Sequence, residues 1–425
     1  MDVVDVSSCD SDFSSCDTRT NVTLARCNKR TSEVEDADVA RFKKRALEAD
    51  DEAGEFFAAL YGYMDHVNRV RSACSMTCSI VDAAVAAYVK YRGGIQEIRL
   101  HVVPPNVSFD ADSIDEKWFV QHFRFSHAQM NRVVVSLMQA GIPAVIKTAS
   151  RDKCGLHEAL CMLCFKYAWP TRLGTMVKLF GASTSRLSRL TGQLRRLLHA
   201  RFIRKLQHPN LLTAEELTTF CAAVEAKSGL SICFGFIDGT VRPIAKPSVL
   251  QGACYNGKDR VHALKYQALV LPNGMFHQLC GPWPGSRHDM FLLHKSELVN
   301  HIVQFPRSPQ GAVYCAYADQ GYSEQAGIST PYFDGAVNAV HEAYNQAMAS
   351  SRIAVEWAFG DILVLWASLS LKSQQQLLSQ RKIGQVYLVA GLLTNMFNTV
   401  QPGNASKYFK VRPPSLEAYM ASMMS

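Results

Sequence analysis

Residues 231–240 read SICFGFIDGT. An unbroken, mostly apolar run closed by Asp238-Gly239-Thr240 predicts a buried strand with a carboxylate at its C-terminal end. Outward from it, residues 262–271 predict a second strand leading into Pro272-Asn273-Gly274, a hairpin-turn sequence, and residues 275–280 the returning strand. Pro284-Gly285-Ser286 ends the pair, and residues 287–301 read as a helix. Residues 312–318 (AVYCAYA) form another buried strand, closed by Asp319-Gln320-Gly321-Tyr322, and residues 343–363 form a helix that contains Glu356.

Strand, hairpin, helix, strand, helix, with acids at two strand ends, is the layout of a ribonuclease H-like domain. The expected fold is α/β, a mixed sheet flanked by helices, preceded by an all-α helix-turn-helix region. Sites in open α/β sheets form outside the C-terminal ends of strands. Two Asp at such ends and a Glu on a following helix can converge on two divalent ions about 4 Å apart, the arrangement phosphoryl transfer requires. One ion activates the attacking water or 3′-hydroxyl and the other stabilises the leaving oxygen. Carboxylate oxygens suit Mg²⁺, with Mn²⁺ as a substitute. Asp238, Asp319 and Glu356 are the expected catalytic acids, with Asp238 bridging both ions, Asp319 holding one and Glu356 the other.

Upstream the charge is uneven. The 425-residue chain carries a net charge of +8, from 45 Lys+Arg and 37 Asp+Glu. Residues 1–60 hold 14 acidic and 8 basic side chains, whereas residues 141–205 hold 13 Lys/Arg against only Asp152 and Glu158. A basic body of this kind favours polyanions, most simply nucleic acid. Its layout is helix-turn-helix: a supporting helix over 156–167, a second from about 172 to 180, a turn at Gly181-Ala182-Ser183, and a third helix running from a Ser183 or Thr184 cap towards Arg201. The third helix alternates Arg186, Arg189, Arg195, Arg196 and Arg201 with Leu187, Leu190, Leu194, Leu197 and Leu198, an apolar face beside a basic one. Arg172, Lys178, Arg186, Arg189, Arg195 and Arg196 are the expected DNA contacts in this region.

The segments FIDGT (236–240), YNGKDRVHALKYQALV (255–270), GPWPGSRHDM (281–290), YADQGY (317–322) and YNQAMASSRIAVEWAFG (344–360) occur in that order. Together they resemble the PIF/Harbinger family of DDE transposases over roughly residues 230–400, and the upstream helix-turn-helix resembles the one that precedes the nuclease in that family. The resemblance implies a DDE nuclease core using divalent metal, cleavage at transposon ends and strand transfer into target DNA. Asp238 matches the family's first Asp, and Asp319 lies 36 intervening residues before Glu356, a gap typical of the second Asp and the Glu. Asp289, in Ser286-Arg287-His288-Asp289, is also a family position and a candidate metal ligand, ranked below Asp319 because it starts the helix after the hairpin. Arg352 and Glu356, at i and i+4, match the Arg-x3-Glu part of a signature in related bacterial insertion-sequence transposases. The Tyr and Lys of that signature are Ala349 and Leu363 here, so other residues must meet the terminal phosphate. His262, Lys265, Arg287 and His288 are candidates, with Lys258 and Arg260 as flanking contacts.

The domain organisation follows. Residues 1–55 are an acidic, Ser/Asp/Thr-rich tail in which Lys29-Arg30 and Arg41, Lys43, Lys44 and Arg45 form a candidate bipartite nuclear import signal. A helical segment occupies 56–110, the helix-turn-helix region 111–210, the nuclease domain 225–400, and a tail 401–425. The acidic N-terminus lacks a secretory pattern, and no apolar run reaches the roughly 20 residues that span a bilayer. A nuclear protein is expected, acting on transposon ends and target DNA without membrane association. A homo-oligomer is expected, and the resemblance suggests a Myb-like accessory DNA-binding protein. Thirteen cysteines read as reduced, mostly buried thiols, and Cys161-Met162-Leu163-Cys164 lies in an apolar helix without a second pair to complete a zinc site. The rival expectation is a domesticated relative that keeps the fold and DNA-binding helices but no longer cleaves.

Overall fold

A computed structural model describes residues 108–424 except 171, 334–337, 373–374 and 378–381. The basic clusters at 29–45 lie outside the described residues. The described residues belong to one compact unit, Val102–Ser425.

The upstream half is helical. α1 (Glu116–Phe123) and α2 (His127–Gln139) lead into a small antiparallel hairpin, β1 (Val145–Lys147) and β2 (Lys153–Gly155). α3 (Leu156–Ala168), α4 (Leu173–Phe180) and α5 (Thr184–Leu198) follow. α3 is apolar on nearly every face and is buried almost throughout, including Cys161 and Cys164. Gly181 takes the left-handed conformation (φ 56°) that ends α4, and the Ser183 side chain accepts from the Arg186 amide to start α5. A π-helical turn (His199–Ile203) carries α5 into α6 (Arg204–Gln207), and α7 (Ala214–Ser228) follows with a Thr213/Glu216 capping box.

The sheet begins at β3 (Cys233–Pro243), then α8 (Gln251–Cys254), β4 (Tyr255–Asn256), β5 (Val261–Val270) and β6 (Phe276–Pro284). α9 (Asp289–Lys295) and α10 (Leu298–Ile302) lead to β7 (Cys315–Tyr317), β8 (Ile328–Ser329) and the long α11 (Ala339–Leu365). α12 (Ile383–Val400), α13 (Asn404–Phe409) and α14 (Leu416–Ser422) close the chain. In space β6, β5, β3, β7 and β8 are successive neighbours, with β4 pairing the start of β5. β5 is antiparallel to both β3 and β6, while β7 and β8 run parallel to β3. The fold is therefore α/β, a mixed sheet flanked by helices.

Two local expectations change. The first strand does not end at Asp238 but runs to Pro243, because β5 is long enough to pair β3 from Phe236 to Pro243. Only the parallel neighbour stops early, its last pair being Phe236 with Tyr317. The helix expected over 287–301 is broken into α9 and α10 at Ser296-Glu297, where Glu297 adopts φ 53°. There the buried Ser296 hydroxyl accepts from Gln267 Nε2 at 2.8 Å and donates to the Leu293 carbonyl at 3.0 Å.

Strand alternation sorts the core by face. Phe236, Ala268 and Val270 pack with α11, α12 and the upstream helices, whereas Ile237, Leu269 and Leu271 pack with Leu293, Leu298 and Ile302 of α9 and α10. No described helix is long and apolar enough to cross a membrane.

Candidate active site

Asp238 lies one residue past Ile237 in β3, so its side chain belongs to the α11 face of the sheet. It sits where β7 has ended and β3 is paired on one side only. Its Oδ1 accepts from the Gly239 amide at 2.8 Å, and its Oδ2 accepts from Arg352 Nη1 at 3.0 Å. The other arm of the same guanidinium, Nη2, donates to Glu356 Oε1 at 3.1 Å. Arg352 thus joins the β3 acid to the α11 acid. Burial raises the Asp238 carboxyl to about 6; Arg352 opposes that rise, and Asp319 and Asp289 add to it.

Asp319 lies two residues past the end of β7, the strand beside β3. Its Oδ1 accepts from the Gly321 amide at 2.9 Å, which folds the Asp319-Gln320-Gly321 turn around the carboxylate. Asp289 begins α9 and reaches the same place from the opposite face of the sheet. A Cβ on Gly239 would lie 3.0 Å from Asp289 Oδ1, and a Cβ on Gly321 would lie 3.0 Å from Asp289 Oδ2 and 3.1 Å from Asp319 Oδ1. Two glycines thus leave the space that lets the acids approach. Lys265 Nζ, almost buried in β5, donates to Asp289 Oδ1 at 3.0 Å.

The structure therefore brings Asp238, Asp319, Asp289, Glu356, Arg352 and Lys265 into one region. Asp238, Arg352 and Glu356 lie on the α11 side, Asp289 and Lys265 on the α9 side, and Asp319 at the strand end between them. Among the described residues no group of three or more His, Cys, Asp or Glu side chains stands close enough to enclose one ion. Mg²⁺ does not require such a cage, since it keeps several waters and is commonly held by one or two carboxylates. Hard oxygen donors, one of them a carboxyl raised chiefly by partial burial and further by its acidic neighbours, fit such an ion. Asp238 and Asp319 would hold it.

Gln267 and Tyr322 have no role in the sequence reading, yet they tie the two acid-bearing loops together. Gln267 is fully buried, and its Oε1 accepts from the Tyr322 hydroxyl at 3.4 Å while its amide nitrogen reaches Ser296. The Tyr322 hydroxyl is held far above its usual titration range by burial, with Asp289, Asp238 and Asp319 adding to the shift. Tyr322 stands in the YADQGY segment already singled out, but its link to Gln267 depends on strand register, which the motif does not encode.

The other basic candidates are spread more widely. Arg172 and Lys178 are exposed on and before α4, and Lys258 and Arg260 are exposed between β4 and β5. Arg189 is paired to Asp152 through Nε at 2.6 Å and Nη2 at 3.1 Å, and that hydrogen bond holds the Asp152 carboxyl below its usual range. Arg186 is half-buried and donates to the Lys153 carbonyl at 2.9 Å. Arg196 is exposed and donates to Gln193 Oε1, whereas Arg201 donates to the Ala140 carbonyl. Arg195 is 6% exposed and lies on the buried stripe of α5, away from any surface ligand. Arg287 covers the Phe291 ring at 4.8 Å, His288 is the exposed residue before α9, and His262 packs its ring edge-on to Tyr255.

No curated protein and no solved structure matches the chain. Residues 237–395, the stretch that carries Asp238, Asp289, Asp319 and Glu356, match the family described as DDE superfamily endonuclease, which supports a transposase- or nuclease-type function for this part of the chain.

Proposed function

We propose that the protein is a metal-dependent DNA transposase or endonuclease of the PIF/Harbinger type. In this reading residues 225–400 form a ribonuclease H-like nuclease that cuts transposon ends and joins them to target DNA. The observation that carries it is the placement of Asp238 on β3 beside Asp319 at the end of its parallel neighbour, with Arg352 and Glu356 of α11 on the same side. The strand order and directions support a ribonuclease H-like sheet.

Two bound divalent ions, Mg²⁺ or Mn²⁺, would supply an activated oxygen nucleophile and charge stabilisation on the leaving oxygen. Asp238 and Asp319 would bind and orient the ions, Glu356 completes the set on α11, and Asp289 supports it from the α9 side, in the space that Gly239 and Gly321 leave open. Arg352 and Lys265 neutralise the acids internally and are placed to turn towards a scissile phosphate. α4 and α5 form the helix-turn-helix that grips duplex DNA, chiefly through Arg172, Lys178 and Arg196, which point to solvent. Nuclear residence, a homo-oligomer and a Myb-like accessory protein belong to the same proposal, on the strength of the sequence resemblance.

The test is incubation of the full chain with Mn²⁺ or Mg²⁺ and DNA carrying the element's own flanking repeats, scored for end cleavage. Asp238→Ala, Asp319→Ala and Glu356→Ala should each abolish cleavage while DNA binding persists. Asp289→Ala should cleave more slowly, not fall silent. Absence of cleavage by the wild type, with the correct repeats, metal and accessory protein supplied, would favour the domesticated reading.

A further inference from the structure

A recess adjoins the loop that carries Asp319. A pocket of about 530 Å³ is lined by Gln320, Gly321 and Tyr322 from the loop that carries Asp319, and by Thr330, Tyr332 and Phe333 from the chain after β8, with His341 of α11. Its volume falls in the roughly 300–1,000 Å³ range of clefts that take small ligands or single ring systems. Two large aromatic side chains face solvent here, Tyr332 at 44% and Phe333 at 61% exposure. Exposed aromatic rings beside a polar site offer faces on which a planar group can stack.

Tyr332 is held in position. Its amide donates to Asn345 Oδ1 at 2.8 Å, and Asn345 Nδ2 returns a bond to the Tyr332 carbonyl at 2.6 Å. Its ring stacks on His341 with centroids 4.2 Å apart and planes within 15°, and meets the Tyr344 ring edge-on at 5.1 Å. Asn345 and Arg352 are seven residues apart on α11, on the same helix face and about 10 Å apart along the axis. The aromatic platform therefore lies two turns up the helix from the residue that bridges Asp238 and Glu356.

We infer that this pocket receives an unpaired base of the DNA strand being processed, stacked on Phe333 and Tyr332. A base inside a duplex has both faces covered by its neighbours, whereas an unpaired one can offer a face to an aromatic ring, and stacking of this kind is indifferent to base identity. Gln320, Thr330 and Glu324 supply polar atoms at the rim for the edge of that base. The inference rests on the nuclease reading above and adds to it a substrate preference: splayed ends bind better than closed duplex.

The experiment uses the full chain without divalent metal and two DNA probes of one sequence, a fully paired duplex and a forked duplex with an unpaired 2-aminopurine at the fork. The wild type should bind the fork about 5- to 100-fold more tightly than the duplex, the range expected of one stacked base, and should quench the 2-aminopurine. Phe333→Ala and Tyr332→Ala should lose most of that preference and the quenching, and Phe333→Trp should keep both. Since the Phe333 side chain is mainly exposed, its truncation leaves the core untouched, and a thermal melt matching the wild type checks this. Equal wild-type affinity for the two probes, or an undiminished preference in both alanine variants, overturns the inference while leaving the nuclease reading in place. So does a change in oligomeric state of Phe333→Ala without loss of preference, which would make the patch a self-association surface. No DNA binding at all by the wild type overturns both.

Discussion

The site turns on one partly buried carboxyl. Asp238 has an ordinary value of 3.8 that rises to about 6 in the folded protein, with burial the leading cause. Between these pH values the folded chain holds a proton that the unfolded chain has released. The protonated side chain therefore favours folding at low pH, and that advantage is lost as pH rises from about 4 to about 6. In metal-free protein Asp238→Asn should melt several degrees above wild type at pH 7 and within a degree or so of it at pH 4. Differential scanning calorimetry at the two pH values decides it, and an equal difference at both would contradict the assigned cause. Asp238, Asp319 and Glu356 were legible in the sequence because apolar runs and a helix set each of them off. The pairing of Lys265 with Asp289 and the bridge from Gln267 to Tyr322 were not, because each depends on which residues β5 places opposite β3.

At the element scale α5 shows how periodicity and charge compete. Leu187, Leu190, Thr191, Leu194, Arg195 and Leu198 are its buried residues, a stripe with i, i+3, i+4, i+7, i+8 and i+11 spacing. Residue type suggested that Arg195 meets phosphate; its position in the stripe puts it in the core. Arg189 was likewise an expected DNA contact, yet Asp152, 37 residues earlier in the turn of the β1–β2 hairpin, pairs with it. The elements themselves were well marked, since Gly181 and Ser183 set the boundaries of α4 and α5. Two outcomes separate the arginines. Arg196→Ala and Lys178→Ala should each flatten the salt dependence of DNA binding by about 0.9 in log K per log salt. Arg195→Ala should lower the melting temperature and leave that slope unchanged. A flatter slope for Arg195→Ala would show that this side chain reaches DNA.

Across the described residues, the upstream helices, one face of the sheet and the C-terminal stretch 405–423 share a core. The Asn395 side chain on α12 accepts from the Phe276 amide and donates to the Phe276 carbonyl, both at 2.9 Å, and also meets the Tyr419 hydroxyl of α14. Leu416, Tyr419 and Met420 of α14 are buried. Short segments such as 416–422 and the two residues of β8 carry too little periodicity to announce this packing, which is visible only once α12 and the sheet are assembled. Leu416→Ala should cost about 2–5 kcal/mol of stability by leaving a cavity under α14, read as a lower urea midpoint. A cost below about 1 kcal/mol would mean that α14 is dispensable to the core. Such a rigid frame is what an acidic cluster needs, because the acids come from β3, α9, the loop after β7 and α11, and only their packing keeps like charges together.

The proposed function requires Asp238 and Asp319 to hold a divalent cation jointly. Titration of the full chain with Mn²⁺, followed by electron paramagnetic resonance of the free ion and by calorimetry, tests it without depending on DNA or on turnover. The wild type should bind Mn²⁺ saturably, and Asp238→Asn and Asp319→Asn should each weaken that binding at least tenfold, about 1.4 kcal/mol. Wild-type affinity retained in both variants would contradict it.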